Sequence, residues 1–279
     1  MKNTSLNMIG RTSRWAAAQR ARESTRSDRL FDDPLAAAMA GDDGLEMLRR
    51  GDEVNPQHEK TAQLLAVRTR FLDDLILNST AKGITQIVIL AAGLDCRAFR
   101  LNLPPRTRFY ELDQAPVIEL KEHLLKKENA RTKYRRIALE ADLTKSWLSS
   151  LREAGFQNRR SVWIMEGLLY YLSEPGVRRL LSDISSCAAA GSVLGADLVS
   201  ASFLQSPLTS NGLEMMRKSG IGWQFGTDDP ESFFVGYGWE ATVLLPGEEG
   251  AHYGRLNGAV VPRSRRDFPH KFLVSATKN

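Results

Sequence analysis

The feature that most constrains the fold is a largely apolar segment, Ile84–Ala91, which runs into the loop sequence AAGLDCR. Segments of this kind are typical of strands that are buried on both faces of a parallel sheet. Further short β-rich segments follow at residues 108–112, 136–140, 161–165 and 193–199. Because helical segments alternate with these strands, the sequence predicts an α/β fold with a doubly wound, mostly parallel sheet.

The chain of 279 residues is predicted to form one domain with four parts. These parts are a helical N-terminal cap (1–83), a ligand-binding core (84–199), an insertion or lid after the fifth strand (200–238) and a C-terminal β-rich edge (239–279). Two β-rich segments in the last part, 240–245 and 271–276, are expected to pair antiparallel at the edge of the sheet.

Local signals predict several helix boundaries. Gly41 is expected to end a short helix, and a longer helix at 60–78 carries an apolar stripe with i, i+3, i+4 and i+7 spacing. Ser173, in the sequence SEP, is a good N-cap for another helix, which Gly191 is expected to close. The buried face of that helix is expected to contain Val177, Leu180, Leu181, Ile184 and Cys187.

Composition narrows the possible classes of protein. Apolar residues make up 42% of the chain and charged residues 25%, which are ordinary values for a globular protein. The 38 Lys and Arg residues exceed the 33 Asp and Glu residues by only a formal charge of +5, so a nucleic-acid face is permitted but not required. Two cysteines are too few for a disulfide framework, and no signal peptide or membrane span is evident, so a cytoplasmic protein is expected.

The loop after the first strand is the first candidate for ligand binding. Gly93 would let the backbone approach a ligand closely, and the following helix start would offer amide donors. A dinucleotide fingerprint needs three glycines spaced as G-x-G-x-x-G, and this loop has only Gly93. The pattern therefore favours a ligand without a pyrophosphate, with a plain tight turn as the alternative.

Carboxylates stand at the ends of the next strands. Glu111 and Asp113, in the sequence YELD, lie on the same side of the second strand and can accept the two hydroxyls of a ribose, unless they only form a solvated strand end. Asp142 and the amide of Leu143 can bind an adenine edge, although Asp is also a common N-cap. Glu166 follows a buried apolar strand and needs a cationic partner there, either an arginine or a ligand ammonium.

Arg68 supplies a complementary charge. It lies on the apolar stripe of the helix at 60–78, where a ligand carboxylate would suit its guanidinium, whereas Arg70 is expected to face solvent. An internal ion pair with Glu166 or Asp95 is the alternative for Arg68. Together these candidates suit a ribose, an adenine edge, an α-amino group and an α-carboxylate without a phosphate. S-adenosyl-L-methionine has these four features.

The chain also resembles a known family over almost its whole length. The likeness is carried by RTSRWAAAQRARES, DRLFDDPLA, VRTRFLDD, ILAAGLDCRAFRL, YELDQAPVI, ADLT, MEGLLYYLSEP, FGTDDPESF and GWEA. These motifs are similar to those of the leucine carboxyl methyltransferase-like family of S-adenosylmethionine-dependent methyltransferases, especially its bacterial branch, which includes O-methyltransferases of polyketide biosynthesis. The resemblance implies a class I methyltransferase (Rossmann-like) fold.

The resemblance also implies roles for the candidate residues. Arg68 would hold the methionine carboxylate, Glu166 would face the α-amino group, and the Gly93 loop would lie along the methionine moiety. Asp113 would hold the ribose, and Tyr171 would line the methyl-transfer pocket as the catalytic candidate. The full set of cofactor-binding candidates is Arg68, Gly93, Asp95, Glu111, Asp113, Asp142, Leu143 and Glu166. No metal ion is expected.

Two positions depart from the pattern of that family. Ala91 replaces the glycine that usually opens the cofactor motif, and it is expected to tighten the loop. Cys96 stands where the family usually has threonine, with little expected consequence.

The implied reaction is methyl transfer to an oxygen of a small acceptor. The histidines have no recognisable partner and are expected at the surface, which favours a carboxylate or an acidic hydroxyl that needs no general base. They are His58, His123, His252 and His270. In the insertion, Trp223 and Phe225 can cover a flat, polyketide-like acceptor, although these aromatic residues can equally pack onto the sheet.

Other functions stay open at this point. A nucleic-acid methyltransferase is disfavoured because residues 166–169 read EGLL, where base aminomethylation enzymes commonly have an Asn/Asp-Pro-Pro-aromatic turn. A protein C-terminal carboxylate is another possible acceptor, and a cofactor-binding protein without catalytic activity is a further alternative. A small-molecule acceptor is expected as the partner, without nucleic acid or membrane, and the oligomeric state is left open.

Overall fold

The computed structural model describes residues 8–54, 58–256 and 258–279. A seven-stranded sheet forms its centre, and the strands are β1 (Gln86–Leu90), β2 (Arg108–Asp113), β3 (Arg135–Glu140), β4 (Val162–Met165), β5 (Val193–Val199), β6 (Trp239–Leu244) and β7 (Lys271–Lys278). Their order across the sheet is β3-β2-β1-β4-β5-β7-β6. The first five strands run parallel, and β7 lies antiparallel between β5 and β6.

Helices precede, separate and follow these strands. They are α1 (Met8–Ser24), α2 (Ala36–Val54), α3 (His58–Ala81), α4 (Arg97–Arg100), α5 (Ala115–Lys127), α6 (Leu148–Glu153), α7 (Glu174–Cys187), α8 (Ala201–Gln205), α9 (Pro207–Lys218) and α10 (Pro230–Val235), with a 3₁₀ turn at Leu169–Tyr171. None of the helices within the described ranges combines the length and the apolar character that crossing a bilayer requires.

Both faces of the central strands are covered, as the apolar sequence of β1 predicts. Val88 and Leu90 belong to a core cluster that contains α7, whereas Ile87 and Ile89 belong to a second cluster that contains α3. Successive residues of a strand point to opposite faces, so a strand between two helical layers must be apolar throughout. All five residues of β1 are buried. The predicted doubly wound sheet is confirmed.

Most predicted element boundaries are confirmed within two residues, although α3 extends three residues beyond its predicted end, to Ala81, and two further differences lie at glycines. Gly41 (φ 58°, ψ −177°) interrupts α2, but helical backbone resumes beyond it to Val54, so the prediction of a short helix was incomplete. The prediction that Gly191 closes α7 was wrong, because α7 ends at Cys187 and Gly191 (φ 76°) lies in the turn to β5. The cap at Ser173 and the five-residue buried face of α7 are confirmed.

The order of the strands fixes where a ligand site can lie. From β1 the chain continues to β2 and β3 on one side, and then crosses to β4 and β5 on the other. The carboxyl ends of β1 and β4 therefore flank the switch point at which open α/β sheets bind ligands. The candidate site residues of the loops after β1 and β4 should therefore lie at this switch point.

Candidate active site

The loop that follows β1 adopts a backbone that suits glycine. Ala91 has φ 51° and Gly93 has φ 49°. The Gly93 amide donates a 2.6 Å hydrogen bond to Oδ2 of Asp113, which joins this loop to the end of β2. A Cβ atom at Gly93 would lie 2.9 Å from Oγ of Ser13 in α1, so both the dihedral angle and the packing against α1 require glycine here.

Ala91 adopts a left-handed conformation that is unfavourable for a residue with a Cβ atom, at a cost of about 1–2 kcal/mol. We expect Ala91→Gly to raise the free energy of unfolding by about 1 kcal/mol, because relief of this strain exceeds the added entropy of the unfolded chain. Thermal unfolding should then shift upward by about 2–4 °C. Ala92→Gly is the matched control, since Ala92 has no positive φ, and it should be destabilising. An Ala91→Gly variant that is less stable than the wild type would contradict this account.

Asp113 occupies the mouth of β2 and is almost completely buried. Besides the bond from Gly93, its Oδ1 accepts a 2.7 Å hydrogen bond from the Gln114 amide. Burial raises the pKa of this carboxyl, and the two backbone hydrogen bonds act in the opposite direction. Asp113 therefore lies at the end of β2 and orders the loop beside it, and its contact with a ribose stays a prediction.

Glu111 is fully buried one pleat earlier on β2, on the same side as Asp113. Its Oε2 lies 2.6 Å from Lys121 Nζ and 2.7 Å from Arg136 Nη2. Its Oε1 is buried without a hydrogen-bond partner among the described residues. A buried oxygen without a hydrogen-bond partner favours a hydroxyl donor, which a ribose would supply. The contact of Glu111 with a ribose stays a prediction.

At the end of β3, Asp142 is half exposed. Its Oδ1 accepts hydrogen bonds from the amide and hydroxyl of Thr144 at 3.0 and 2.6 Å, and these bonds lower the pKa of Asp142. Asp142 is not the cap of the next helix, because α6 begins at Leu148. Leu143 is buried and belongs to the core cluster beside α7. The contact of Asp142 and Leu143 with an adenine stays a prediction.

A network of buried charges lies where β4 and β5 end. Arg68 Nε is 3.0 Å from Glu166 Oε1, and Arg68 Nη1 is 3.0 Å from Asp197 Oδ2. Arg97 Nη1 is 2.7 Å from Glu166 Oε2 and also pairs with Asp95. The cationic partner predicted for Glu166 is thus a pair of arginines, and the internal ion pair considered for Arg68 is present. Arg70, as predicted, is partly exposed, and it pairs with Asp74.

The network continues under α1 and α3. Its further members are Arg20, Asp33, Asp73 and Arg100. Arg20 also donates a 2.6 Å hydrogen bond to the Leu94 carbonyl, which fastens α1 to the loop after β1. The whole network contains four arginines and five carboxylates, so it carries one net negative charge when all groups are ionised. Lys271, which interacts electrostatically with Arg68 and Asp197, offsets this excess.

These ion pairs determine the protonation state of the site. Burial alone would raise the pKa of Glu166, but Arg97 and Arg68 together lower it well below its usual range. Burial would also lower the pKa of Arg68, yet Asp197 and Glu166 raise it overall. A narrow cavity opens beside Arg68 and Glu166, between α1 and α3.

An aromatic surface adjoins this network. The Trp223 ring lies 4.1 Å from the Tyr170 ring, 5.5 Å from the Phe203 ring and 6.2 Å from the Tyr171 ring, measured between centroids. The insertion is held there because the amide of Gln224 donates to the Tyr170 carbonyl at 2.7 Å. We refer to Tyr170, Tyr171, Phe203 and Trp223 as the aromatic wall.

The two aromatic candidates of the insertion have different surroundings. Trp223 is part of the aromatic wall and partly exposed. Phe225 is only 4% exposed and packs against Phe233 with 5.1 Å between ring centroids, so the structure places it in the core. The packing role that was the alternative for these aromatic residues therefore describes Phe225.

Tyr171, the catalytic candidate, is partly buried, and burial raises the pKa of its hydroxyl. The neighbouring Tyr170, which the sequence did not single out, contacts the charge network: its hydroxyl is 3.3 Å from Arg68 Nη1 and 3.3 Å from Asp197 Oδ2. Burial and the Asp197 carboxylate raise the pKa of Tyr170 well above its usual value. Both hydroxyls are therefore protonated at neutral pH and can donate hydrogen bonds.

The histidines are only partly at the surface. His123 and His252 are exposed, as predicted, but His58 and His270 are buried, which corrects the expectation for those two. His58 pairs with Asp52, and His270 Nε2 lies 3.1 Å from the Arg265 carbonyl oxygen. Within the described parts of the chain, no group of three or more metal-binding side chains comes together.

Sequence reasoning missed most of the charged residues of the site, and Asp197, Arg97 and Lys271 show why. Asp197 interrupts the apolar strand β5, the same signal that identified Glu166. Arg97 had no signal beyond its position in the loop after β1. Lys271 begins β7 beside the end of β5, and its ammonium lies 5.8 Å from the centre of the Phe203 ring.

Comparison with known proteins places these features in context. A family model described as leucine carboxyl methyltransferase matches residues 13–185. The chain is 37% identical over 276 residues to a Streptomyces avermitilis protein named an S-adenosyl-L-methionine-dependent methyltransferase, covering 95% of each chain. A protein of the same description from Streptomyces coelicolor is 37% identical over 251 residues, covering 86% of this chain and 88% of the relative.

Two solved structures share the fold. A methyltransferase from Thermobifida fusca has a TM-score of 0.59 at 18% identity, covering 96% of this chain and 94% of its own. A duf574 family protein from Streptomyces avermitilis has a TM-score of 0.64 at 14% identity, covering 94% and 97%. At these identities the comparison supports the arrangement of strands and helices.

Proposed function

The chain belongs to the leucine carboxyl methyltransferase family of S-adenosyl-L-methionine-dependent methyltransferases, and we propose that it methylates an oxygen atom of a small acidic molecule. The acceptor group is a carboxylate or an acidic hydroxyl of a secondary metabolite of the polyketide type. The family description, which names a carboxyl group, supports this choice.

The residues of the site fit S-adenosyl-L-methionine. The cofactor carries a carboxylate and an ammonium group, and these complement Arg68 and Glu166 of the buried network. Arg68 Nη2 makes no hydrogen bond to the described residues, although Nε and Nη1 are engaged, so it can donate to the cofactor carboxylate. The unpartnered Oε1 of Glu111 can accept from a ribose hydroxyl.

Each part of the cofactor would have its own ligands. Arg68 and Glu166 would hold the amino-acid end beside the Gly93 loop, with Asp95 fixing that loop through its contacts to Arg97. Asp113 and Glu111 would hold the ribose. Asp142 and Leu143 would bind the adenine. When bound, the cofactor supplies an activated methyl group on its sulfonium, so the protein mainly aligns the acceptor.

The observation that carries the choice of an acidic acceptor is the protonation state of the groups around the site. Glu166 has a strongly lowered pKa and is a weak base, and Tyr170 and Tyr171 have raised pKa values and keep their protons. An acceptor that is already ionised at neutral pH needs no proton removal, whereas an ordinary phenol with a pKa near ~10 does. The tyrosine hydroxyls, Tyr171 among them, would position the acceptor oxygen by donating hydrogen bonds.

The proposed function predicts the product of a cofactor-consumption screen. Wild-type protein with S-adenosyl-L-methionine should convert members of a panel of aromatic acids and acidic phenols into products heavier by one methylene group. Mass spectrometry should show the added methyl group. Mild alkaline hydrolysis should release it from a methyl ester, whereas the methyl ether of a phenol survives this treatment and is identified as O-methyl by NMR. Matched arms contain a peptide with a C-terminal leucine and single- and double-stranded nucleic acid. Methylation confined to one of these macromolecules, or to nitrogen or carbon, would contradict the proposal.

A further inference from the structure

Lys271 is a cation that forms no ion pair with the charge network among the described residues. It is the first residue of β7 and pairs in register with Val199, the last residue of β5. Asp197 pairs with Leu273 in the same ladder, so Asp197 and Lys271 lie diagonally on one face of the sheet. No carboxylate among the described residues lies within 4 Å of the Lys271 ammonium, although arginines of the site each have at least one such partner.

The ammonium lies at one end of the aromatic wall. It is 5.8 Å from the centroid of the Phe203 ring, and Phe203 is tilted by 30° to Trp223 at 5.5 Å. At the other end of the wall, the Tyr170 hydroxyl contacts Arg68 and Asp197. The wall therefore connects a cation that has no carboxylate partner within the described ranges to the place where the methionine end of the cofactor would bind.

We propose that Lys271, Phe203 and Trp223 form the acceptor-recognition site, which binds a flat aromatic acid by pairing its anionic oxygen with the Lys271 ammonium. This inference rests on the proposed function, because it identifies the residues that would select the acceptor class. The partly exposed rings of Phe203 and Trp223 provide apolar surface for the flat part of the acceptor. Charge pairing at Lys271 selects acids over their neutral analogues.

The surroundings of Lys271 make it sensitive to an anion. Burial and the nearby Arg68 together lower the pKa of Lys271 to about 8, although Asp197 acts in the opposite direction. Lys60 of α3 also lowers it. Lys271 is thus mainly protonated at neutral pH and loses its charge as the pH rises through about 8. Affinity for an acid should fall over the same range, because the neutral amine no longer attracts the anion.

The test uses the full chain saturated with S-adenosylhomocysteine, and two probes of equal shape, 2-naphthoate and 2-naphthamide. Calorimetry should show that the wild type prefers the anion. Lys271→Met should weaken 2-naphthoate binding at least about tenfold and leave 2-naphthamide within about twofold, whereas Lys271→Arg should retain most of the affinity. The decrease in 2-naphthoate affinity between about pH 7 and about pH 9 should disappear in Lys271→Met.

Lys278→Met is the matched control, since Lys278 lies at the opposite end of β7 over the Trp239 ring. It should leave 2-naphthoate binding unchanged. Binding of S-adenosylhomocysteine to each variant shows that the variant is folded. Equal binding of both probes by the wild type, binding of neither, or an unchanged Lys271→Met variant would overturn the inference. The proposed function fails separately, if the product screen shows methylation on an atom other than oxygen.

Discussion

Replacing Arg97 with methionine is expected to lower the free energy of unfolding by about 3–5 kcal/mol, because it removes the central cation of a buried ion network. Arg97 is 2% exposed, and its guanidinium contacts Asp73 at 2.6 Å, Glu166 at 2.7 Å and Asp95. Without Arg97, these carboxylates stay buried with less compensating charge. Urea unfolding at neutral pH measures the effect.

The pH dependence of this loss distinguishes a charge effect from a packing effect. Arg97 lowers the pKa of Asp95 and of Glu166 against the opposing effect of burial. Their stabilising contribution is therefore present above an unfolded pKa of about 4 and is lost as the pH falls. The difference between wild type and Arg97→Met should be largest at neutral pH and should shrink as the pH falls below about 4.

Arg70→Met is the control for the loss of a guanidinium. Arg70 is 40% exposed and pairs with Asp74 at 2.9 Å, so its replacement should cost no more than about 1 kcal/mol. An Arg97→Met variant that differs from the wild type by less than about 1 kcal/mol at neutral pH would show that the network does not stabilise the fold.

Replacing Asp113 with asparagine is expected to weaken binding of S-adenosyl-L-methionine about ten- to a hundredfold. The carboxylate accepts the Gly93 and Gln114 amides through different oxygens, and an amide group can replace only one of them as an acceptor. The variant thus loses both the charge offered to the ribose and the order of the cofactor loop. Calorimetry with the purified chain measures the affinity.

Stability should change far less than affinity in this variant. Burial raises the pKa of Asp113, so the folded state favours its protonated form. The resulting contribution to the free energy of unfolding is complete below the unfolded pKa of about 4 and is lost as the pH rises through the folded pKa. Asparagine removes that cost and introduces one imperfect hydrogen bond, so unfolding should stay within about 1–2 kcal/mol of the wild type. Glu119→Gln, an exposed change on α5, is the binding control. Unchanged cofactor affinity in Asp113→Asn would remove Asp113 from the site.

The core of the fold could be predicted because buried positions follow a recognisable spacing of apolar residues in the sequence. Strand β4 is apolar throughout and β1 is apolar after Gln86, and the buried face of α7 follows the helical period. The helices of the insertion could not be predicted in this way. Helix α9 buries none of its residues, so the argument from a buried apolar face does not apply to it.

The site could be predicted where one residue contradicts its local pattern. A carboxylate at the end of an apolar strand identified Glu166, and the same argument would have found Asp197 in β5. Arg97 depends instead on Asp73, which is 24 residues away and reaches it only through the packing of α3. Lys271 depends on the insertion of β7 between β5 and β6, a placement that the predicted antiparallel pair left undetermined.

A crystal structure of the protein with S-adenosylhomocysteine would test the location of the cofactor most directly. We predict density for the amino-acid end between Arg68 and Glu166, along the Gly93 loop, with the ribose hydroxyls on the carboxylates at the end of β2. Density for the ligand on another surface, or a ribose that points away from Asp113, would contradict the site described for this protein.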